Sequence, residues 1–353
     1  MGRPAVVTDM TVPAEHIALS VLDLAPIAPG QSARDSFAAS VALAQTAEKH
    51  GYRRVWYAEH HNMASIASSA TSILIGHVAG QTSTIRLGAG GIMLPNHAPL
   101  TIAEQFGTLA TMYPDRIDLG LGRAPGSDQV TMRAMRRDAQ SSDQFPEDVL
   151  ELQGYLRGES RVPGVQAVPG AGTDVPLYIL GSSLFGAQLA AAFGLPYAFA
   201  SHFSPDALHE AVAIYRRDFT PSRQLAEPHV IAGVNVIAAD DRADAQQQFI
   251  TTRRARVRGM LSRGPGGGSV AGPATEYSDE EIDQFLTTPN GRGIANMMKY
   301  TVAGTPDDVR DYLEAFAVSA QADELIIGFQ SQNIADRLRS VELTANAMLG
   351  VAA

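Results

Sequence analysis

Short apolar, β-rich runs alternate with segments of helical period from one end of this chain to the other, and that alternation leaves few folds open. Parallel strands joined by crossover helices produce it, because each strand has to return through a helix before it can lie beside its neighbour. Strand signals fall at 17–23, 54–59, 85–92, 117–121, 177–180, 197–200, 230–238 and 324–329. Eight such strands can close on themselves, and closure leaves no unpaired edge to protect. The expected fold class is therefore α/β, a (β/α)8 TIM barrel, with an open doubly wound sheet as the competing arrangement. The chain has 353 residues. That exceeds the roughly 100–200 of an ordinary domain, but barrels reach it with insertions. Residues 1–353 are expected to form a single domain, since no linker divides two cores and no internal repeat is visible.

Helical period fills the intervals. Phe37, Val41, Ala44 and Ala47 share a face over 36–50, and Gly51 stands where a helix ends in a left-handed residue. Pro99 opens another helix with Ile102, Phe106, Leu109 and Ala110 on one side. Further helices are expected over 184–193, 205–219, 243–258, 306–316 and 334–349. Thr305 and Asp308 have capping-box spacing, with Pro306 in the first turn. The one low-complexity stretch, Arg263 to Pro273, reads as a mobile loop region inserted between the seventh and eighth strands.

Composition removes several functions. A formal charge of −10 and a pI near 5.4 are the wrong electrostatics for nucleic acid or an anionic membrane. The small cluster Arg133, Arg136, Arg137 is explained by a solvated helix face. No cysteine is present, which excludes disulfides, thiolate metal sites and cysteine nucleophiles, so redox chemistry would need a bound cofactor. Residues 1–12 lack the pattern of a secretory signal, and no run of about 18 apolar residues exists to span a bilayer. The expected location is cytoplasmic.

In such barrels the C-terminal strand ends carry the chemistry. Here those ends are polar: Asp23, then Glu59-His60-His61-Asn62, the glycines Gly90 and Gly91, Arg123, Ser182 with Ser183, Ser201 with His202, and Gln330. His60 is the best acid–base candidate, because an imidazole with a pKa of about 6.5 can move protons near neutrality. A hydrogen-bonded structural histidine is the alternative. Strand alternation puts Glu59 and His61 on one side and His60 on the other, so Glu59 need not be its partner. Arg123 could grip a phosphate or form an ion pair capping the barrel. The turn Gly181-Ser182-Ser183 could offer N–H groups, hydroxyls and helix dipole to one phosphate, or simply cap the helix. Three glycines in Gly88-Ala-Gly-Gly admit either the close approach of a flat ring or a β-bulge. Neither a GxGxxG fingerprint in the required setting nor a GxxxxGK loop occurs, and there is no HExxH helix or GxSxG elbow. No metal site is expected.

Four segments in register carry a resemblance: Ala58-Glu-His-His-Asn, Gly88-Ala-Gly-Gly-Ile-Met-Leu-Pro-Asn-His-Ala-Pro-Leu, Ala103-Glu-Gln-Phe-Gly-Thr-Leu, and Arg116-Ile-Asp-Leu-Gly-Leu-Gly-Arg-Ala-Pro-Gly. Together they resemble the bacterial-luciferase-like, flavin-dependent oxidoreductases, from Leu19-Ser-Val-Leu-Asp to the last strand. The resemblance implies a monooxygenase using reduced FMN and O2, through a C4a-peroxyflavin, on a small organic substrate. It implies a separate flavin reductase as partner and a homodimer. It gives His60 the role of the active-site histidine, Arg123, Ser183 and its neighbour Ser182 that of holding the flavin phosphate, and Gly90-Gly91 that of a cis peptide beneath the flavin ring. Gly122 stands where luciferases carry a reactive cysteine, and Ser182 where they carry an acid, so light emission is not implied. An F420-dependent hydride-transfer dehydrogenase and a non-catalytic flavin-binding protein are the alternatives.

Overall fold

In a computed structural model describing residues 17–124, 128–261 and 277–350, the chain starts with β1 (Ala18–Asp23), α1 (Ala33–Lys49), β2 (Arg54–Tyr57) and α2 (Thr71–Ala79). Next come β3 (Arg86–Met93), α3 (Pro99–Met112), β4 (Ile117–Gly122), α4 (Gln129–Ala134) and α5 (Phe145–Arg157). They are followed by β5 (Leu177–Gly181), α6 (Leu184–Phe193), β6 (Tyr197–Phe199) and α7 (Leu208–Asp218). The last third holds β7 (Val230–Ala238), α8 (Arg242–Leu261), α9 (Asp279–Thr287), α10 (Pro289–Asn296) and β8 (Thr301–Gly304). α11 (Pro306–Ala320), β9 (Glu324–Phe329) and α12 (Ile334–Leu349) complete it.

All pairings between these strands are parallel. β1 to β7 lie side by side in chain order, and β9 fits between β7 and β1, closing eight strands into a (β/α)8 barrel. The eight predicted strands are the eight of the ring. β8 is a ninth, outside the closure, pairing only Thr301–Gly304 with Asn235–Ala238 at the end of β7. Its four residues are too few to show a period against Lys299-Tyr300 before and Gly304-Thr305-Pro306 after. Five helices also went unpredicted. α2 is apolar around most of its circumference, which hides its face, whereas α5 buries Phe145, Val149, Leu152 and Leu156 at a readable spacing. Gly51 has φ +80°, and Thr305 and Asp308 form the capping box read from their spacing. The stretch Arg263 to Pro273 lies outside the described residues.

The two larger of three apolar clusters hold the ring. The larger lies between strands and helices, and includes Leu43, Val55, Phe106, Leu152, Tyr215 and Leu313. The smaller draws on strands alone, with Leu22, Trp56, Tyr178, Ala198, Ile231 and Ile326 filling the barrel. Trp56 explains much of the glycine content of β3. A Cβ on Gly90 would lie 2.8 Å from the Cβ of Trp56, and one on Gly88 would lie 2.9 Å from its indole nitrogen. The β3–β4 register shifts between Ala89 and Ile92, so an irregularity of the bulge kind is present as well.

Below Trp56, at the N-terminal end of the strands, the barrel is filled with charge. Arg54 is almost wholly buried; its Nη1 donates to Asp118 Oδ2 at 2.8 Å and to the Tyr178 hydroxyl at 2.7 Å. Its Nε lies 2.9 Å from Glu324 Oε1. Asp118 also accepts from Arg86 and from Trp56 Nε1, and Glu324 accepts from Ser20. Burial works against the Arg54 charge, but Asp118 and Glu324 more than offset it, so its pKa is raised. Arg54→Ala would leave two buried carboxylates facing a cavity, a loss of about 3–5 kcal/mol. Urea unfolding followed by fluorescence of Trp56, the chain's single tryptophan, measures it; a loss under about 1 kcal/mol would mean the network does not hold the barrel.

Candidate active site

At the other end of the ring, the exits of β2 and β3 are tied together by one carboxylate. Glu59 is 1% exposed and accepts from the Met93 backbone N–H at 3.0 Å and from Asn96 Nδ2 at 3.2 Å. The Nε2 atoms of His61 and His97 lie 2.7 and 3.0 Å from its Oε1. The residue two positions on, His61, is thus brought back to Glu59. Burial raises the carboxyl pKa, and the hydrogen bonds from His61, His97 and Asn96 outweigh it, leaving a value of about 2. Asn96 and His97, which follow the glycine-rich strand, are thus partners of a buried charge. His60 is half-buried at the same strand exit.

The peptide bond between Gly90 and Gly91 is cis, as the resemblance implied. A Cβ on Gly91 would come within 2.7 Å of the Gly120 carbonyl oxygen on β4, so no larger residue fits there. Next around the ring, Arg123 follows β4, and its guanidinium carbon lies 4.0 Å from the ring centroid of Phe185, in the first turn of α6. Among the described residues no carboxylate pairs with it. Ser183 is the N-cap of α6 with extended backbone, yet its side chain makes no capping bond, so the hydroxyl and the first-turn N–H groups stay available. Ser182 is half-buried beside it. His60, Gly90-Gly91, Arg123 and the serine turn therefore occupy the exits of four consecutive strands, β2 to β5.

The remaining polar exits are structural. Asp23 accepts from the Ala25 N–H and from Ser40. Ser201 donates to the Gly233 carbonyl at 2.6 Å. Asn235, fully buried in β7, donates to the His202 carbonyl and accepts from Gln330 Nε2 at 2.9 Å. These groups lock the exits of β6, β7 and β9 together. The His202 ring is packed so closely on β7 that a Cβ on Gly233 would strike its Nδ1 at 2.3 Å. Burial, then the positive fields of Arg256 and His60, push its pKa down to about 3. Arg256, on α8, was not singled out from sequence. It sits in a run with Arg253, Arg254 and Arg258 that reads as a solvated basic face. Among the described residues no group of three metal-ligating side chains forms, and no helix is long and apolar enough to cross a membrane.

Two pH effects follow. Glu59 has a folded pKa below its ordinary 4.5, so its stabilisation is complete above about pH 4.5 and is lost as pH falls toward 2. Glu59→Gln is expected to cost about 1–3 kcal/mol at pH 7, with the deficit in urea unfolding shrinking below pH 4.5; a deficit independent of pH would overturn the assignment. For His202 the neutral ring is the stable one. Histidine-selective NMR should show it uncharged at pH 5, and its contribution to stability declines as pH falls from 6.5 toward 3.

Comparison with known proteins agrees with this geometry. The profile of the family described as luciferase-like monooxygenase matches residues 17–324. A luciferase-like monooxygenase of Escherichia coli K12 is 48% identical over 328 residues, covering 93% of this chain and 96% of its own. An N-acetyl-S-alkylcysteine monooxygenase of Bacillus subtilis is 30% identical over 340 residues, 94% of this chain and 98% of that one. The crystal structure of apo-MsnO8 superposes with a TM-score of 0.83 at 35% identity, covering 96% of this chain and all of the other. At 17% and 15% identity, an FMN-bound type II Baeyer–Villiger monooxygenase from Pseudomonas putida and an F420-dependent secondary alcohol dehydrogenase share the fold, with TM-scores of 0.68 and 0.70. Coverage is 94% of this chain and 97% of the former, and 96% and 100% for the latter.

Proposed function

The chain belongs to the luciferase-like monooxygenase family, and from that premise we propose that it is a flavin-dependent monooxygenase that uses reduced FMN and O2 to oxidise a small organic substrate. The observation that carries this reading is the arrangement of Arg123 at the open N-terminus of α6. A guanidinium that no carboxylate pairs with among the described residues, the first-turn N–H groups and two serines are brought together by the ends of β4 and β5, and this is the donor set a single terminal phosphate requires. A dinucleotide would need a second phosphate cradle, and the described residues around Ser182 and Ser183 form a single one.

When bound, reduced flavin supplies the electrons and the means of activating oxygen. The protein's part is to hold, shield and manage protons. Arg123, Ser182 and Ser183 hold the phosphate. Gly90 and Gly91, with no side chains, let a flat ring lie against β3. Glu59 fixes the chain leaving β2 and β3 through His61 and the Met93 N–H, and His60 is the group proposed to move a proton at the reacting oxygen or the substrate. Reduced flavin delivered by a separate reductase, a cytoplasmic homodimer and a single domain complete the proposal, and the family membership supports them.

Anaerobic titration with reduced FMN, in parallel with reduced F420, tests the reading. Tight FMN binding followed by oxygen uptake on admission of air is expected; preference for F420 without oxygen uptake would sink it. Arg123→Ala should weaken FMN binding about 10- to 100-fold, the worth of charge-assisted hydrogen bonds. His60→Ala should leave that binding within about threefold and lower turnover by about 100-fold or more, measured once a substrate is in hand. Equal turnover in His60→Ala would remove its catalytic role.

A further inference from the structure

The segment between β7 and β9 brings a charge to the barrel mouth that neither the fold nor the phosphate site requires. Thr252 of α8 is buried, and its Oγ1 donates to the Gln330 carbonyl at 3.0 Å, just past the end of β9. That bond leads the helix over the C-terminal end of the strands. Arg256 follows four residues later, on the same face. Of the arginines around it, Arg254 and Arg258 pair with Asp279, Arg254 also with Asp283, and Arg253 lies over the Phe249 ring with its own Nε unmet. Arg256 differs. Its Nη1 is shut off from solvent and meets no acceptor among the described residues, and no carboxylate there pairs with it. Burial alone lowers its pKa, and its field reaches His202 together with that of His60.

A half-buried guanidinium with one N–H shut off from water and from every described acceptor is costly to keep, and buried donors left unmet commonly mark a ligand. The flavin phosphate is not that ligand in the reading above, since it lies at the exits of β4 and β5, whereas the Arg256 charge acts on His202 past β6. We infer that Arg256 is the anion-binding residue of the substrate pocket, and that the substrate is a small organic acid whose carboxylate or sulfonate sits on this guanidinium. The planar fork of N–H donors suits either group, as both present two acceptor oxygens side by side. His202, held neutral, adds no second positive charge, so one anionic group satisfies the pocket. The end of the molecule away from the anion is then left toward His60. This deepens the monooxygenase reading and rests on it for the location of the reacting end, though the anion site itself does not.

Isothermal titration calorimetry with hexane-1-sulfonate, hexanoate and uncharged hexan-1-ol tests the inference on the whole protein. The wild type is expected to bind both anions at least about tenfold tighter than the alcohol. Arg256→Gln should lose about 10- to 100-fold of anion affinity and leave reduced-FMN binding within about twofold, while Arg256→Lys keeps part of the anion affinity. Circular dichroism confirms folding, and Arg256→Lys carries the comparison if the glutamine variant does not fold. Three results would overturn the inference: anions that bind no better than hexanol, anion affinity untouched in both Arg256 variants, or anion affinity lost only in Arg123→Ala. Weakened FMN binding in Arg256→Gln with no loss for the anions would do so too, by assigning Arg256 to the cofactor. Anion binding that depends on Arg256 in a protein that fails to bind FMN would uphold the site and overturn the flavin reading alone.

Discussion

An arginine inside a closed barrel has to bring its counter-ions with it, and the placement of Arg54 organises much of what lies above. Its two carboxylates stand on β4 and β9, two strands away from β2 in either direction, so the ion pairs tie the ring across its own interior. The guanidinium also lies 5.6 Å from the centroid of Trp56 and 5.1 Å from that of Tyr178, which turns the charged floor into a base for an aromatic layer. Trp56 then fills the middle of the barrel, and β3 can accept it only as glycine at 88 and 90. The absence of side chains at the β3 exit, which the proposed flavin site uses, is thus continuous with packing that begins at the opposite end.

How far sequence carried depends on the kind of interaction. Strands of the ring are buried on both faces and mostly apolar, and their run lengths identified all eight of them. Helices whose apolar residues cover one side were readable too, while α2, apolar nearly all round, and β8, four residues outside the closure, had no period to show. Helix ends such as Gly51 and Thr305 were legible because local geometry alone decides them.

Polar strand exits were equally visible, yet their tasks were not, since a task depends on partners brought from elsewhere in the ring. The step-two spacing past β2 put Glu59 and His61 on one side, and His61 does come to that carboxylate. It could not say that His97 and Asn96 would come to the same carboxylate, nor that Asp23 and Ser201 would spend their oxygens on neighbouring backbone and hydroxyls. Arg256 was the least legible of all: among four arginines in six positions, only the tertiary position of α8 distinguishes the one that is turned inward.

The position of β8 has one more consequence. Because it pairs with the end of β7 from outside the ring, and β9 pairs with β7 directly, the elements α8, α9, α10 and β8 are attached to the barrel without being part of its closure. Residues in that segment can be exchanged, lengthened or replaced over evolutionary time while the ring stays sealed and the β2-to-β5 arc keeps its shape. A lineage built this way can diversify what it acts on at one side of the mouth and conserve how it acts at the other.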